Sequence, residues 1–409
     1  MDLTLKKQKH LISFLLANFA QLFCGLLIVI EMNIISNDYL GIFIFQYTFF
    51  LVLGHLFTFG QHIYLLNKIS LINNLDKKKK YIQKNLFSSV IPLFIGFSFL
   101  ILITPLIDNS YLNKLGSNKI FLILSCLFFS LNKILLNIQN AFNYFYNLSL
   151  LIFFRSILLL TIITLILTNN INLIDNLCYA FLITECSITI LYLSIFLIKR
   201  SNIKIKFNIY KKNINDGLKL FGDFFFSDLL LKIDILIIVY FFDFTKVSIY
   251  ALTMVFVEGI LTILVVLRNF FTSKFGYLIG RKKFKEYLKI RNRYGKFFFI
   301  ITFCLVILGY IALKLLDKFL FNINNETYLF YFIILPSILI YSFYVNAEYI
   351  FSLKKRFFSQ TKYFFKAILF QIAVLLFAFK TFSIYSFPLA ISLMFVFMAI
   401  NLYMELNKT

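Results

Sequence analysis

Tryptophan is absent from this 409-residue chain, and acidic and basic residues together make up only 14% of it. The first absence passes the interfacial aromatic role to tyrosines such as Tyr39, Tyr210, Tyr240 and Tyr385. The second excludes a soluble protein of this size, which needs a larger polar share to cover its surface. The five cysteines (Cys24, Cys126, Cys178, Cys186, Cys304) include no CxxC pair, so free buried thiols are expected rather than disulfides or a metal site. No glycine-rich phosphate loop, HExxH or DxD cluster occurs, and no cofactor is expected. No connection is long enough for a folded extramembrane domain, which argues against a membrane enzyme of glycan assembly. The first apolar run is span-length without a small-residue cleavage site, so it does not read as a cleavable signal.

What the chain has instead is hydrophobic residues, 61% of the total, with a mean hydropathy of +0.86. They fall into runs of the length that crosses about 30 Å of hydrocarbon. Twelve runs are found, near 10–31, 40–66, 85–107, 118–140, 147–168, 174–198, 216–241, 247–270, 296–316, 327–350, 363–380 and 384–404. Lys and Arg crowd into alternate connections: Lys77 to Lys80, Lys199 to Lys212, Arg268 to Arg293, and Lys354 to Arg356. The other connections hold scattered cations (Lys114, Lys246, Lys318) offset by Asp108, Asp243 and Asp317. That alternation places both termini on the cytoplasmic side and assigns the net charge of +23 to orientation and anionic headgroups, not nucleic acid.

The expected fold is all-α: a polytopic membrane protein of about twelve transmembrane helices in two six-helix lobes around a central cavity. The lobes are residues 1–198 and 216–409, joined by a basic cytoplasmic linker, 199–215. Asp38-Tyr-Leu-Gly-Ile-Phe and Asp243-Phe-Thr-Lys-Val-Ser-Ile-Tyr each open the second span of a half, an echo that suggests internal duplication.

Ionisable groups at mid-span are costly and face a bundle interior or water. Arg155 and Glu185 lie on consecutive antiparallel spans and are placed to pair, as packing or as substrate contact. Ser130, Lys133, Asn137 and Asn140 form one polar stripe on span four, a candidate cavity lining. On span seven, Asp223, Ser227 and Asp234 share a helical face, while Asp228 and Lys232, four apart, are spaced to pair with each other. Asp234 is the preferred functional acid, beside a packing role. Glu258 in span eight is a candidate proton carrier, and Glu348 lies near the end of span ten. His55 and His62, seven apart in span two, are either hydrogen-bonded packing residues or a proton relay.

The chain resembles the polysaccharide (O-antigen) flippases, the Wzx type, of the multidrug/oligosaccharidyl-lipid/polysaccharide exporter superfamily. The resemblance spans nearly the whole length. It rests on twelve spans, Asp38-Tyr-Leu-Gly-Ile-Phe after the first, and Lys232-Ile-Asp-Ile-Leu-Ile-Ile followed by Val247-Ser-Ile-Tyr-Ala-Leu. It departs from the family at Asn33 to Asn37, which lacks the arginine often found before the first-half turn. The resemblance implies a transporter of the bacterial inner membrane, not an enzyme. Its implied cargo is an undecaprenyl-diphosphate-linked oligosaccharide, and its implied partners are membrane lipids and other membrane proteins of polysaccharide assembly. Lys133, Arg155 and Lys232 are then the candidate cations, and Asn137, Asn140 and Gln371 the polar lining. Glu185, Asp223, Asp234 and Glu258 are candidates for ion coupling or packing. A multidrug-type cation antiporter of the same fold is the alternative, kept open by Asp223, Asp234 and Glu258.

Overall fold

The computed structural model describes residues 2–72, 74–103, 114–142, 144–169, 172–194, 210–280, 284–319, 323–348 and 357–407. Hydrocarbon offers backbone groups no partner, so apolar runs of this length satisfy their own hydrogen bonds as helices. The first half holds α1 (Asp2–Ile35), α2 (Asn37–Phe57), α3 (Gln61–Ser70), α4 (Leu75–Ile103), α5 (Lys119–Ala141), α6 (Phe145–Thr168) and α7 (Leu173–Tyr192). The second holds α8 (Lys211–Leu229), α9 (Ile233–Phe241), α10 (Phe244–Gly280), α11 (Phe284–Phe319), α12 (Asn325–Tyr344), α13 (Phe357–Phe382) and α14 (Ser386–Asn407). No strand occurs among the described residues.

Ten helical stretches among the described residues are long and apolar enough to cross a membrane. The last of them, Gln360–Leu406, contains both α13 and α14, turned by a short 3-10 segment at Ser383–Tyr385. The seventh apolar run is missing from the ten because a turn at residues 230–232 breaks it into α8 and α9. Counted this way all twelve runs are placed, and the chain is an all-helical, multi-pass membrane protein.

Two local expectations need correction. The second run is not one helix: Phe59 and Gly60 both take left-handed backbone angles (φ 43° and 70°) and turn α2 into α3. Gly60 is needed there, since a Cβ would overlap the Gly217 carbonyl and the Phe221 amide of α8. The seventh run is broken, as above. The long basic connection after span eight is largely helical, because α10 and α11 both extend into it and lysine and arginine are good helix formers.

By its packing the chain divides into two units, Met1–Asp228 and Leu229–Thr409. The division falls inside the seventh run, beyond the basic linker; residues 199–209 of that linker lie outside the described residues. In the first unit α5 packs against α2, α3, α4 and α7, and α1 lies along α6. The N-terminal part of α8 docks on this unit through polar contacts. Gln61 Nε2 donates to the Ile214 carbonyl (3.1 Å), Tyr64 to Asn213 Oδ1 (2.7 Å), and Asn213 to Asn85 Oδ1 (2.5 Å). In the second unit α12 packs against α10, α11 and α14, and α13 against α14.

The two units repeat more than topology. Lys78, at the start of span three, donates to the Ala141 carbonyl at the end of α5 (2.6 Å) and lies over the Phe142 ring. Arg291, at the start of span nine, donates to the Phe343 carbonyl at the end of α12 (3.2 Å) and lies over the Phe343 and Tyr344 rings. In both units a buried cation thus satisfies the carbonyl end of the fourth span, where the helix dipole favours positive charge. The sequence echo is matched too: Gln46 of α2 donates to the Leu115 carbonyl (2.9 Å), and Thr253 of α10 to the Thr327 carbonyl (3.1 Å).

Candidate functional site

In the first unit the charged side chains gather around one ring, Phe129 of α5. The ring seats against α2 because residue 54 is glycine; a Cβ there would overlap it. Around it lie the His55 imidazole (5.3 Å), the Lys133 ammonium (5.5 Å) and the Arg155 guanidinium (5.0 Å). Arg155 of α6 pairs with Glu185 of α7 through two nitrogens, at 2.6 and 2.7 Å from Oε1. Glu185 is buried, and its Oε2 accepts from Asn132 (2.9 Å), whose own Oδ1 accepts from Thr189 (2.9 Å). The pairing anticipated between spans five and six therefore forms, inside a network that also binds span four.

His55 Nδ1 lies 2.7 Å from Asp228 Oδ2, and the Asp228 side chain is 47% exposed, so this edge of the cluster is open. His62 is buried against the Phe224 ring, and its Nδ1 has no hydrogen-bond partner. Lys133 makes no hydrogen bond or ion pair among the described residues; Asp228, Arg155 and Glu185 act on it only through space. The remaining stripe residues divide. Ser130 is buried and donates to the Gly54 carbonyl (2.5 Å), which makes it a packing contact. Asn137 donates to the Lys133 carbonyl of its own helix (2.9 Å), and Asn140 is half-buried.

In the second unit Lys232 holds Glu258 of α10 with both carboxylate oxygens, at 2.5 and 2.6 Å. Asp234 is buried in the first turn of α9, where Oδ2 accepts from the Tyr250 hydroxyl and Oδ1 from the Ile235 amide (2.9 Å). The pair expected between Asp228 and Lys232 does not form. That pairing requires a continuous helix, and the break at 230–232 leaves Asp228 on His55 and Lys232 on Glu258. The same break interrupts the face that Asp223, Ser227 and Asp234 were expected to share. Gln371 is buried in α13 with neither end of its carboxamide bonded. Asp223 and Glu348 lie on described backbone, but their side chains are outside the described residues.

No protein-family model matches the chain, and no curated protein matches it in sequence. Solved structures do. An inward-facing multidrug resistance MATE family transporter of the MOP superfamily superposes with a TM-score of 0.71 at 14% identity, covering 95% of this chain and 94% of its own. The chain has the MATE transporter fold. An outward-facing MATE transporter matches over 97% of this chain and 93% of its own, with a TM-score of 0.65 and 13% identity. So does a MOP superfamily transporter from Pyrococcus furiosus, described as having a binding pocket of reverse polarity that suggests a different function (TM-score 0.65, 13% identity, 97% and 93% covered).

Within the MATE fold the polar side chains of this sequence sort by partner, which single-span reading misses. Asn132 lies off the stripe on span four, yet it is the residue that ties span four to Glu185. A signal for it exists in α7, where Glu185 and Thr189 are four apart and so share the face that Asn132 meets. Phe129 carries no signal of its own among so many phenylalanines.

Proposed function

We propose that the chain is a flippase that carries an undecaprenyl-diphosphate-linked oligosaccharide from the cytoplasmic to the outer leaflet of a bacterial inner membrane by alternating access. The observation that carries this reading is Lys133, an ammonium within a membrane span that has a guanidinium and an imidazole beside the same ring and no carboxylate bonded to it. An ion in low dielectric without a hydrogen-bonded counter-ion costs roughly several kcal/mol. Ionisable groups kept within spans at such a cost mark substrate or ion pathways. A diphosphate supplies a directly bonded counter-ion and several acceptor oxygens, and it cannot cross hydrocarbon unaided.

Among the described residues, the carboxylates within the spans support the same sign of cargo. Glu31 accepts from Thr164, Glu185 is held by Arg155, Asp228 by His55, Asp234 by Tyr250 and Glu258 by Lys232. A multidrug antiporter would present a carboxylate free to meet a cationic drug, so that reading has the weaker support. The Pyrococcus furiosus transporter, with its pocket of reverse polarity, is a precedent for a different function on this fold.

Deleting the gene and complementing it tests the reading. Surface polysaccharide should fall on deletion and return with the wild-type gene and with Lys133→Arg. Lys133→Ala, present in the membrane at normal abundance, should restore it at least about tenfold less well, the loss of one charge-assisted hydrogen bond in the loaded state. A deletion that leaves surface polysaccharide intact and sensitises cells to cationic dyes would establish the antiporter instead.

A further inference from the structure

The cluster around Phe129 has no fixed surplus of charge. Lys133 and Arg155 supply two cations, and Glu185 and Asp228 supply two carboxylates within electrostatic reach of them. What remains variable is the pair of imidazoles, side chains that can gain or lose a charge with a single proton. His55 is bonded to the half-exposed Asp228 and feels Lys133 and Arg155; His62 feels Lys133, His55 and Asp228 and has a buried, unbonded Nδ1. Among the described residues, the charged groups that act on the two imidazoles are Lys133, Arg155 and Asp228. Lys133 is on α5, Arg155 on α6, Glu185 on α7 and Asp228 on α8, and α4 has none after Lys84. Asp223 of α8 is the one further carboxylate on these elements whose side chain is not described.

From this arrangement we infer that His55 and His62 are proton-binding groups coupled to the anion, taking up protons when a diphosphate settles against Lys133 and releasing them when it leaves. The inference rests on the flippase reading and adds a proton linkage to its anion-binding step. With both imidazoles neutral the cluster is balanced and holds a dianion poorly. With each proton gained the site becomes one charge more positive, so anion and proton bind together. His62 has the donor to offer, since a protonated Nδ1 that now lacks a partner would find one on the ligand. His55 would exchange Asp228 for the anion. No bond is made or broken in this scheme except those of the transferred protons, which come from and return to water.

The test is calorimetric binding of UDP-glucose to the purified full-length chain in detergent between pH 5.5 and 8.5. This probe is a diphosphate diester whose own charge is constant over the imidazole range. Titrations in buffers of different ionisation enthalpy count the protons taken up per probe bound. Wild-type protein should take up protons on binding and lose affinity by about tenfold per pH unit for each proton coupled, above the imidazole range. His62→Gln should lower both the proton count and the pH slope while still binding at high pH; His55→Gln is the second variant, should the first fail to fold. Binding with no proton uptake and no pH dependence would overturn the inference and leave the flippase reading standing. No UDP-glucose binding at any pH, with ethidium bound by the same preparation, would remove the reading beneath it.

Discussion

Arg155 and Glu185 can be a packing clamp or a cargo contact, and one variant series separates the roles. Breaking a buried pair from one side leaves a charge without its partner and costs about 3 kcal/mol. Arg155→Met should therefore lower the unfolding temperature of the solubilised protein clearly, because Glu185 keeps only Asn132. The double change Arg155→Met with Glu185→Leu should recover most of that loss, since apolar replacements of buried pairs are near neutral. If the double variant is stable and also restores export, the pair is a clamp; if it is stable and inactive, Arg155 meets the cargo. The pair was legible in the sequence because consecutive spans run antiparallel and bring mid-span residues to one depth. The His55–Asp228 contact was not, because an aspartate four residues from a lysine reads as a helical pair until the break between them is known.

Elements carry the repeat. The twelve apolar runs are visible in composition alone, because each must hide its backbone from hydrocarbon whatever its neighbours are. Their breaks are not. Residues 230–232, Leu-Leu-Lys, contain no proline or glycine, so nothing local marks the turn that separates α8 from α9. Gly60 did mark the other corner, but a lone glycine in a span is weak punctuation. The basic connections were read as orientation signals, and the structure gives two of their residues a further task. Lys78 and Arg291 are buried, each on the last carbonyls of a fourth span. Removing a charged donor from a buried carbonyl costs about 1.5–3 kcal/mol. Lys78→Met and Arg291→Met should each lower the thermal unfolding temperature in detergent, whereas Lys80→Met and Arg293→Met, exposed neighbours, should not. Equal, negligible shifts for all four would mean that the caps contribute nothing.

For the molecule as a whole, a fold shared at 11–15% identity shows how little of the MATE architecture depends on particular residues. Span length, apolarity and the sign of the connections specify it, and all three are countable in the sequence. Cargo depends on something sequence counting misses, namely which buried charges are already neutralised inside the protein. Partner geometry divides the candidate site residues: Lys133 has no bonded partner, while Arg155, Lys232, Glu185, Asp234 and Glu258 are engaged. The central claim is that Lys133 meets water and an anion from within a membrane span. It is tested most directly by Lys133→Cys in a chain whose five native cysteines are replaced, treated in sealed membranes with an anionic, membrane-impermeant thiol reagent. The account predicts modification from the aqueous phase, slowed by UDP-glucose. A thiol unreactive from both sides of the membrane, while Lys246→Cys in the same background reacts, would contradict it.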